Sequence, residues 1–407
     1  MSLSLPIACL DIGTTKVTMI LANYDPKQER PLEVSAHATH PCRGLSRGMV
    51  VDIDATVDSI KAVTKQVKTD SGVSVKDVIV GISGSHIQAI RSNGIVAVGQ
   101  SEIQKSDVDR VIEAAKAVAV PSNQTILHVL PQEFIVDEQT GVENPVGMAG
   151  VRLEVKVLMV TCSNSALQNI IKCVEKSGLH AQRVVLEQLA SGYSVLSRDE
   201  KELGVCVLDI GGGTTDIAVY TKGTIQYVDA IPVAGDHVTN DIAMALRTPP
   251  NAAEEVKLRH GVAAQDCVER DQIIEVATLA DATPQKVMRA DLLEVVEARY
   301  HEIFALVDKV LKRQGFDNAI PGGIVLTGGA SLMPGVKLLA ERVLSQTARV
   351  AEPTAEGVPE ELYSPRYATA IGLILQGCHG HDSLSDVRGG RIARLWQKVK
   401  IWLEYHL

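Results

Sequence analysis

The sequence predicts an α/β protein with two related large lobes around a cleft, a small α+β subdomain inserted into the first lobe, and a C-terminal amphipathic helix. The first observation behind this prediction is a repeat: Leu-Asp-Ile-Gly occurs at residues 10–13 and again at 208–211, each time between apolar runs typical of strands. The second is length, because 407 residues exceed the roughly 100–200 residues of one ordinary domain. A duplicated, two-lobed molecule accounts for both observations.

The composition narrows the class of protein. With 45% hydrophobic and 22% charged residues the chain is typical of a folded protein, and its net charge of -9 argues against nucleic acid as a partner. The seven cysteines form no Cys-x-x-Cys pair, so we expect reduced thiols rather than a disulfide framework or a zinc site. Neither a signal peptide nor an apolar stretch of about 18 residues is visible. The sequence therefore predicts a protein kept inside the cell.

Changes in helical and strand-like pattern along the chain predict the domain boundaries. The predicted segments are the first large lobe at 1–83 and 162–204, the inserted subdomain at 84–161, the second large lobe at 205–237 and 300–376, a small upper lobe at 238–299, a flexible linker at 377–390 and an amphipathic helix at 391–407. Within the insert, residues 123–150 are predicted to be rich in loops. The upper lobe is predicted to be mostly helical, with one short strand at 273–277.

The two Asp-Ile-Gly turns are candidates for binding phosphate. Glycines leave backbone N–H groups accessible to an anion, and threonine hydroxyls add further donors. Asp11 and Asp209, at the strand ends, would hold Mg²⁺ mainly through its water shell, and Asp216 and Thr214 could orient an attacking water. Either turn alone is weak support, because most such turns are only hairpins. The candidate phosphate-binding residues are Gly13, Thr14, Thr15, Lys16, Gly211, Gly212, Gly213, Thr214 and Thr215.

A third glycine-rich turn follows the apolar run at 324–327 and would allow a base or ribose to lie against backbone. Its candidate residues are Gly328, Gly329, Ala330, Ser331 and Met333. The three motifs, in this order, resemble those of the actin, heat-shock chaperone and sugar kinase superfamily. That resemblance implies an actin-like fold of duplicated ribonuclease H-like domains that binds ATP and Mg²⁺. It also implies that Glu187 orients water and that Glu254 and Lys257 flank the adenosine, although these two could be only a solvated helix pair.

Other segments extend the resemblance over nearly the whole chain. The stretches at 42–52, 80–87, 144–161, 204–220 and 253–261 are similar to the FtsA family, the actin-like proteins of bacterial cell division. This resemblance implies an ATP-binding protein that polymerises into filaments, anchors FtsZ filaments to the cytoplasmic face of the inner membrane at the division site, and recruits later division proteins through the insert. Hydrolysis of ATP would be slow at most. The alternative is a small-molecule kinase, such as a sugar kinase, of the same superfamily.

The last segment has the pattern of a helix that lies on a membrane. Its apolar residues fall on one helical stripe, and basic residues cover the remaining surface, opposite in sign to the whole chain. Such a helix is predicted to bind anionic lipids, although it could instead dock on the protein's own core. The candidate membrane residues are Ile392, Leu395, Trp396, Val399, Trp402 and Leu403 on the stripe, with Arg391, Arg394 and Lys398 beside it.

The FtsA resemblance also implies a site for the acidic C-terminal peptide of FtsZ on the small upper lobe. The stretch at 285–300 resembles that site, and Arg299 is the main candidate to pair with an acidic peptide, helped by Lys286 and Arg289. The alternative is that these three residues are ordinary solvated surface.

Overall fold

The computed structural model describes residues 5–25, 32–267, 272–278 and 284–379. The predicted amphipathic helix at 391–407 and most of the predicted linker lie outside these residues. Within the described part of the chain, no helix is both long enough and apolar enough to cross a membrane.

The first lobe is built on a five-stranded sheet covered by helices. Its elements before the insert are β1 (Leu5–Ile12), β2 (Lys16–Tyr24), β3 (Leu32–Pro41), the short hairpin β4 (Leu45–Ser46) and β5 (Met49–Val50), α1 (Ile53–Ser71) and β6 (Asp77–Ile82). Helix α1 begins where the Asp52 carboxylate accepts a hydrogen bond from the Ala55 N–H, and it ends at Gly72 with φ 71°. Its apolar face, including Ile60, packs on the sheet.

The insert consists of four strands and one helix: β7 (Gln88–Ala97), α2 (Lys105–Ala115), β8 (Gln124–Val136), β9 (Gln139–Val142) and β10 (Arg152–Ser163). The strands form an antiparallel sheet in the order β7-β10-β8-β9, and α2 packs against it. The prediction of a loop-rich stretch at 123–150 was therefore wrong. Strand β8 contains Pro131 and is half-buried along most of its length, so its apolar alternation is weak, and pairing with β10 establishes it.

The chain then returns to the first lobe and enters the second. These elements are α3 (Asn164–Lys176), β11 (His180–Leu186), α4 (Glu187–Val195), α5 (Arg198–Leu203), β12 (Val205–Ile210), β13 (Thr215–Thr221) and β14 (Thr224–Ile231). The first sheet has the order β11-β6-β1-β2-β3, in which β6 and β11 are parallel to β1. Helix α4 follows β11 directly and packs against the second lobe's sheet as well as the first, so it joins the two lobes.

The remaining elements form the small upper lobe and complete the second large lobe. They are α6 (Gly235–Ala245), α7 (Pro250–His260), β15 (Ile273–Val276), β16 (Gln285–Met288), α8 (Arg289–Gln314), β17 (Ile324–Thr327), α9 (Val336–Leu344), β18 (Ala348–Val350) and α10 (Ala368–His379). The second large sheet has the order β14-β13-β12-β17-β18, which repeats the strand directions of the first sheet. The predicted duplication in an α/β fold is thus confirmed.

Three details of the upper lobe and the C-terminal region differ from the sequence prediction. Strand β16 was not predicted, since only four residues pair with β15. Helix α8 runs through the boundary set at residues 299 and 300, because one buried face, including Tyr300 and Phe304, continues across it. Helix α10 extends to His379, so the predicted linker begins too early. A Cβ on Gly377 would lie 2.5 Å from Ile79 Cδ1, which shows how closely the helix packs there.

Candidate functional site

A cavity of about 390 Å³ lies between the lobes, and all three sequence motifs line it. The turn between β1 and β2 and the turn between β12 and β13 approach it from opposite lobes. The residues after β17 close a third side, and α6 and α7 of the upper lobe contribute Asp236, Glu254 and Lys257. A volume of this size is in the usual range for small-molecule sites, which runs from about 300 to 1,000 Å³.

The two Asp-Ile-Gly turns touch each other across the cleft. A Cβ added to Gly213 would lie 2.4 Å from Thr14 Oγ1, and one added to Gly212 would lie 2.3 Å from Thr15 Cγ2. No larger side chain fits at either glycine without moving the opposite turn. The glycines therefore allow the two lobes to present their turn backbones to one shared space.

Carboxylates are concentrated where the two turns meet. Asp11 and Asp216 are buried, and the Asp216 Oδ1 atom has no hydrogen-bond partner in the described residues. Burial raises the pKa of Asp209 to about 6. The hydrogen bond that Thr369 Oγ1 donates to Asp209 Oδ2 at 2.9 Å opposes this rise. Burial, followed by the nearby Asp209, raises the pKa of Asp216 well above its ordinary value. Such a group of buried acids is suited to holding a hydrated cation.

Glu187 belongs to the same acidic group. It is the first residue of α4, and its side chain lies against Gly81 on β6, whose added Cβ would be 2.9 Å from Oε1. Burial raises the pKa of Glu187 well above its ordinary value, and the negative charges of Asp11 and Asp216 raise it further. Among the described residues, no three His, Cys, Asp or Glu side chains are arranged to hold a metal ion directly. Binding of Mg²⁺ through water therefore stays a prediction.

Lys16 supplies positive charge on the first turn. Its Nζ atom lies 3.7 Å from Asp11 Oδ2 and donates to the Arg366 carbonyl at 2.7 Å. Burial raises the pKa of Asp11, and the Lys16 charge opposes that rise. The second turn has Thr214 and Thr215 at the corresponding place and no lysine.

The loop predicted to bind adenosine is held in place by close packing and by a hydrogen bond. Gly328 has φ 85°, and an added Cβ would lie 2.3 Å from Asp209 Oδ1, so only glycine suits this position. Tyr300 OH donates to the Ala330 carbonyl at 2.7 Å and so connects α8 to the loop. The Lys257 side chain is only 11% exposed, and its Nζ lies 2.7 Å from Glu254 Oε2. Lys257 is therefore not part of a merely solvated pair.

Several lining residues were not found in the sequence. Thr369 binds Asp209, Gly48 N–H donates to Thr14 Oγ1 at 3.2 Å, and the carbonyl of Arg366 binds Lys16. Ser83 and Asp236 also line the cavity. These residues come from four different segments and carry no local motif, so only the fold could bring them together.

The three residues predicted to bind an acidic peptide differ in their surroundings. The Arg299 guanidinium is already paired with Asp241, at 2.5 and 2.8 Å, and with Glu302. Arg289 donates to the His260 carbonyl at 3.0 Å, whereas Lys286 is exposed on β16. All three lie on adjoining parts of the upper lobe, so a common surface exists, but Arg299 would have to exchange partners to bind a peptide.

The duplicated sheets and the cleft between them define an actin-like protein with an extra domain in its first lobe. Two solved structures show the same fold. The PilM-PilN type IV pilus biogenesis complex gives a TM-score of 0.67 at 18% identity, covering 92% of this chain and 99% of that chain. MreB5 of Spiroplasma citri bound to ADP gives 0.54 at 16% identity, covering 91% and 95%.

The sequence comparisons are more specific. The family model for cell division protein FtsA matches residues 206–372, and the model for the SHS2 domain inserted in FtsA matches residues 84–161. FtsA of Pseudomonas aeruginosa is 47% identical over 372 residues, covering 91% of this chain and 89% of that protein. FtsA of Neisseria meningitidis is 39% identical over 406 residues, covering 98% of both. The chain belongs to the FtsA family of cell division proteins, which confirms the resemblance.

Proposed function

We propose that this cell division protein binds ATP with Mg²⁺ in the cleft and assembles into filaments in a nucleotide-dependent way. The observation that carries the proposal is the meeting of two glycine turns, a group of buried carboxylates and a third glycine loop around one cavity. A ligand held by both lobes favours one relative arrangement of them. That arrangement would set the contacts between subunits, and head-to-tail contacts that do not close produce open filaments.

The residues of the cleft fit this ligand. Backbone N–H groups of the two turns and the Thr14 and Thr15 hydroxyls would bind phosphate oxygens, and Asp11 and Asp209 would hold Mg²⁺ through its water shell. The cation would neutralise charge on the phosphates and on the crowded carboxylates. Asp216, Thr214 and Glu187 would orient a water. Burial and the neighbouring carboxylates raise the pKa of Asp216 and of Glu187 well above their ordinary values, and a bound cation would favour the charged form of both groups.

A glycine substitution tests the site directly. Gly213→Val would place a side chain against Thr14 and Arg47, so we expect loss of ATP binding by calorimetry and loss of ATP-dependent sedimentation of filaments. Gly99→Val is the matched control, because a Cβ at Gly99 meets nothing within 4 Å. Normal ATP binding by Gly213→Val would contradict the proposed site. Failure of the unmodified protein to bind ATP would contradict the proposed function as a whole.

We further propose that the protein links FtsZ filaments to the cytoplasmic face of the inner membrane at the division site. Membership of the FtsA family supports a place in cell division. The sequence of residues 391–407 supports a membrane-binding helix, since each large apolar side chain contributes about 1.5–3 kcal/mol if fully buried and each base about 1 kcal/mol near anionic lipid. Because a filament would carry many such helices, assembly would increase the overall affinity for the membrane. The insert would then bind later division proteins.

The membrane anchor is tested by sedimentation with anionic vesicles. Trp396→Glu should release the protein, because it puts a charge on the apolar stripe. Gln397→Glu adds the same charge at the neighbouring polar position and should lose far less binding. Equal binding by both variants would exclude this helix as the anchor.

The peptide site is tested by fluorescence anisotropy with an acidic peptide from the C-terminus of FtsZ. Arg299→Glu and Lys286→Glu should each weaken binding, because they reverse charge on the proposed surface. Lys309→Glu, an exposed residue farther along α8, is the control. If the control weakens binding as much as the other two variants, the attraction is general and the proposed site is wrong.

A further inference from the structure

We propose that Arg47, at the mouth of the cleft, binds the terminal phosphate of a nucleoside triphosphate and so allows the site to distinguish a triphosphate from a diphosphate. This inference rests on the proposed binding of ATP and adds the residue that decides its specificity. Arg47 belongs to none of the three glycine motifs. It lies in the tight turn between β4 and β5.

The turn touches both phosphate-binding turns. A Cβ added to Gly213 would lie 3.0 Å from the backbone N and Cα of Arg47, on the side of the second lobe. The neighbouring Gly48 N–H donates to Thr14 Oγ1 at 3.2 Å, on the side of the first lobe. Arg47 therefore stands where the two turns meet, which is where the end of a phosphate chain held between them would lie.

The backbone of the turn is held in an unusual conformation. Arg47 has φ 51° and Gly48 has φ 75°, and a left-handed conformation is uncommon for residues other than glycine. Gly48 packs closely on the strand end that leads into the insert, since an added Cβ would be 3.1 Å from the Ser83 carbonyl oxygen. Glycine would fit position 47 with less strain. An arginine at this position therefore costs some backbone strain, as is common at functional sites.

The charge of Arg47 is available at the mouth of the cleft. Arg47 is exposed, and within the described ranges it forms no ion pair, whereas Lys16 and Lys257 are bonded to neighbouring groups. Burial lowers the pKa of His237 on α6, and the positive charges of Arg299 and Arg47 lower it further. The positive charge of Arg47 therefore acts on α6, the helix on the opposite side of the mouth. A guanidinium is well suited to two-point binding of a phosphate.

The test compares affinities for Mg-ATP and Mg-ADP, measured by competition with a fluorescent ATP analogue. Arg47→Gly removes the guanidinium and suits φ 51°, so the turn is expected to fold as before. We expect its ATP affinity to fall about tenfold while its ADP affinity changes less than about twofold. Arg47→Lys should recover part of the loss. Arg43→Ala, an exposed arginine outside the turn, should keep the original ratio of affinities.

Two results would overturn the inference. One is an equal loss of ATP and ADP affinity in Arg47→Gly, and the other is an unchanged ATP affinity. Failure of the proposed function is distinguishable, because it would appear as absence of nucleotide binding in the unmodified protein before any substitution is made.

Discussion

The two Asp-Ile-Gly hairpins have the same backbone and different side-chain chemistry. In the first, Gly13 N–H donates to the Lys16 carbonyl at 2.9 Å, and in the second, Gly211 N–H donates to the Thr214 carbonyl at the same distance. Each hairpin forms the centre of a sheet with the same strand order. Asp11, however, is beside Lys16, while Asp209 accepts a hydrogen bond from Thr369 and lies near Asp216, whose Oδ1 has no hydrogen-bond partner among the described residues. The two hairpins therefore share one turn backbone, and the side chains around it give them different charges.

The difference indicates a division of roles. The first turn carries its own cation, so it is nearly neutral and suited to phosphate. The second turn has no lysine of its own and its acid is only partly compensated, which costs stability in the free protein and would be relieved by a bound cation.

Removing the lysine should have the largest effect on stability. Lys16→Met leaves Asp11 buried beside the other carboxylates without its cation, so we expect a loss of about 2–4 kcal/mol in the free energy of unfolding by urea denaturation. Asp11→Asn combined with Lys16→Met should recover much of that loss, which a double-mutant cycle measures. An additive double mutant would show that the pair is not coupled.

Neutralising the second turn should do the opposite. Asp209→Asn keeps an oxygen for the Thr369 hydroxyl and removes one buried charge, so at pH 7 the free protein should gain about 1–2 kcal/mol. The same variant should lose the thermal stabilisation that we expect Mg-ATP to give to the unmodified protein. Asp58→Asn, at an exposed position on α1, should change neither quantity. Destabilisation of the free protein by Asp209→Asn would refute the idea that the acid of the second turn is only partly compensated.

The pH dependence follows from the same aspartate. Its pKa is about 6 in the folded protein, above the ordinary value of 3.8, so the folded state holds a proton that the unfolded state has released between these values. The contribution of Asp209 to stability should therefore fall by roughly 1 kcal/mol or more as pH rises from 4 to 6. Above pH 6 it should stay low. In denaturation curves, the stability gained by Asp209→Asn should grow over this interval and then level off.

The smallest effect is expected where the two hairpins are alike. A Cβ would lie 3.2 Å from the Lys16 carbonyl oxygen at Gly13 and 3.3 Å from the Thr214 carbonyl oxygen at Gly211. Gly13→Ala and Gly211→Ala should thus each cost less than about 1 kcal/mol, and by similar amounts, in thermal denaturation. A large difference between the two variants would mean that the turns are less equivalent than their hydrogen bonds indicate.

The local motifs were visible in the sequence because each depends on neighbours along the chain. Apolar runs ending in Asp-Ile-Gly predict a buried hairpin, and the structure has β1–β2 and β12–β13 there. Strand β8 was missed because its residues are half-buried and become a strand only by pairing with β10. The end of α10 was misplaced for a related reason, since a glycine at position 377 favours a linker and only its contact with Ile79 shows that the helix continues.

The sequence by itself determined the duplicated α/β fold, the three glycine turns and the FtsA resemblance, because strand periodicity and turn chemistry are properties of short segments. Only the tertiary structure decided that Thr14 touches Gly213, that Thr369 binds Asp209, and that Arg47 stands where the turns meet. These contacts join residues far apart in the chain. Burial then sets the charge balance of the site, because a carboxylate's pKa depends on the water and the charges around it.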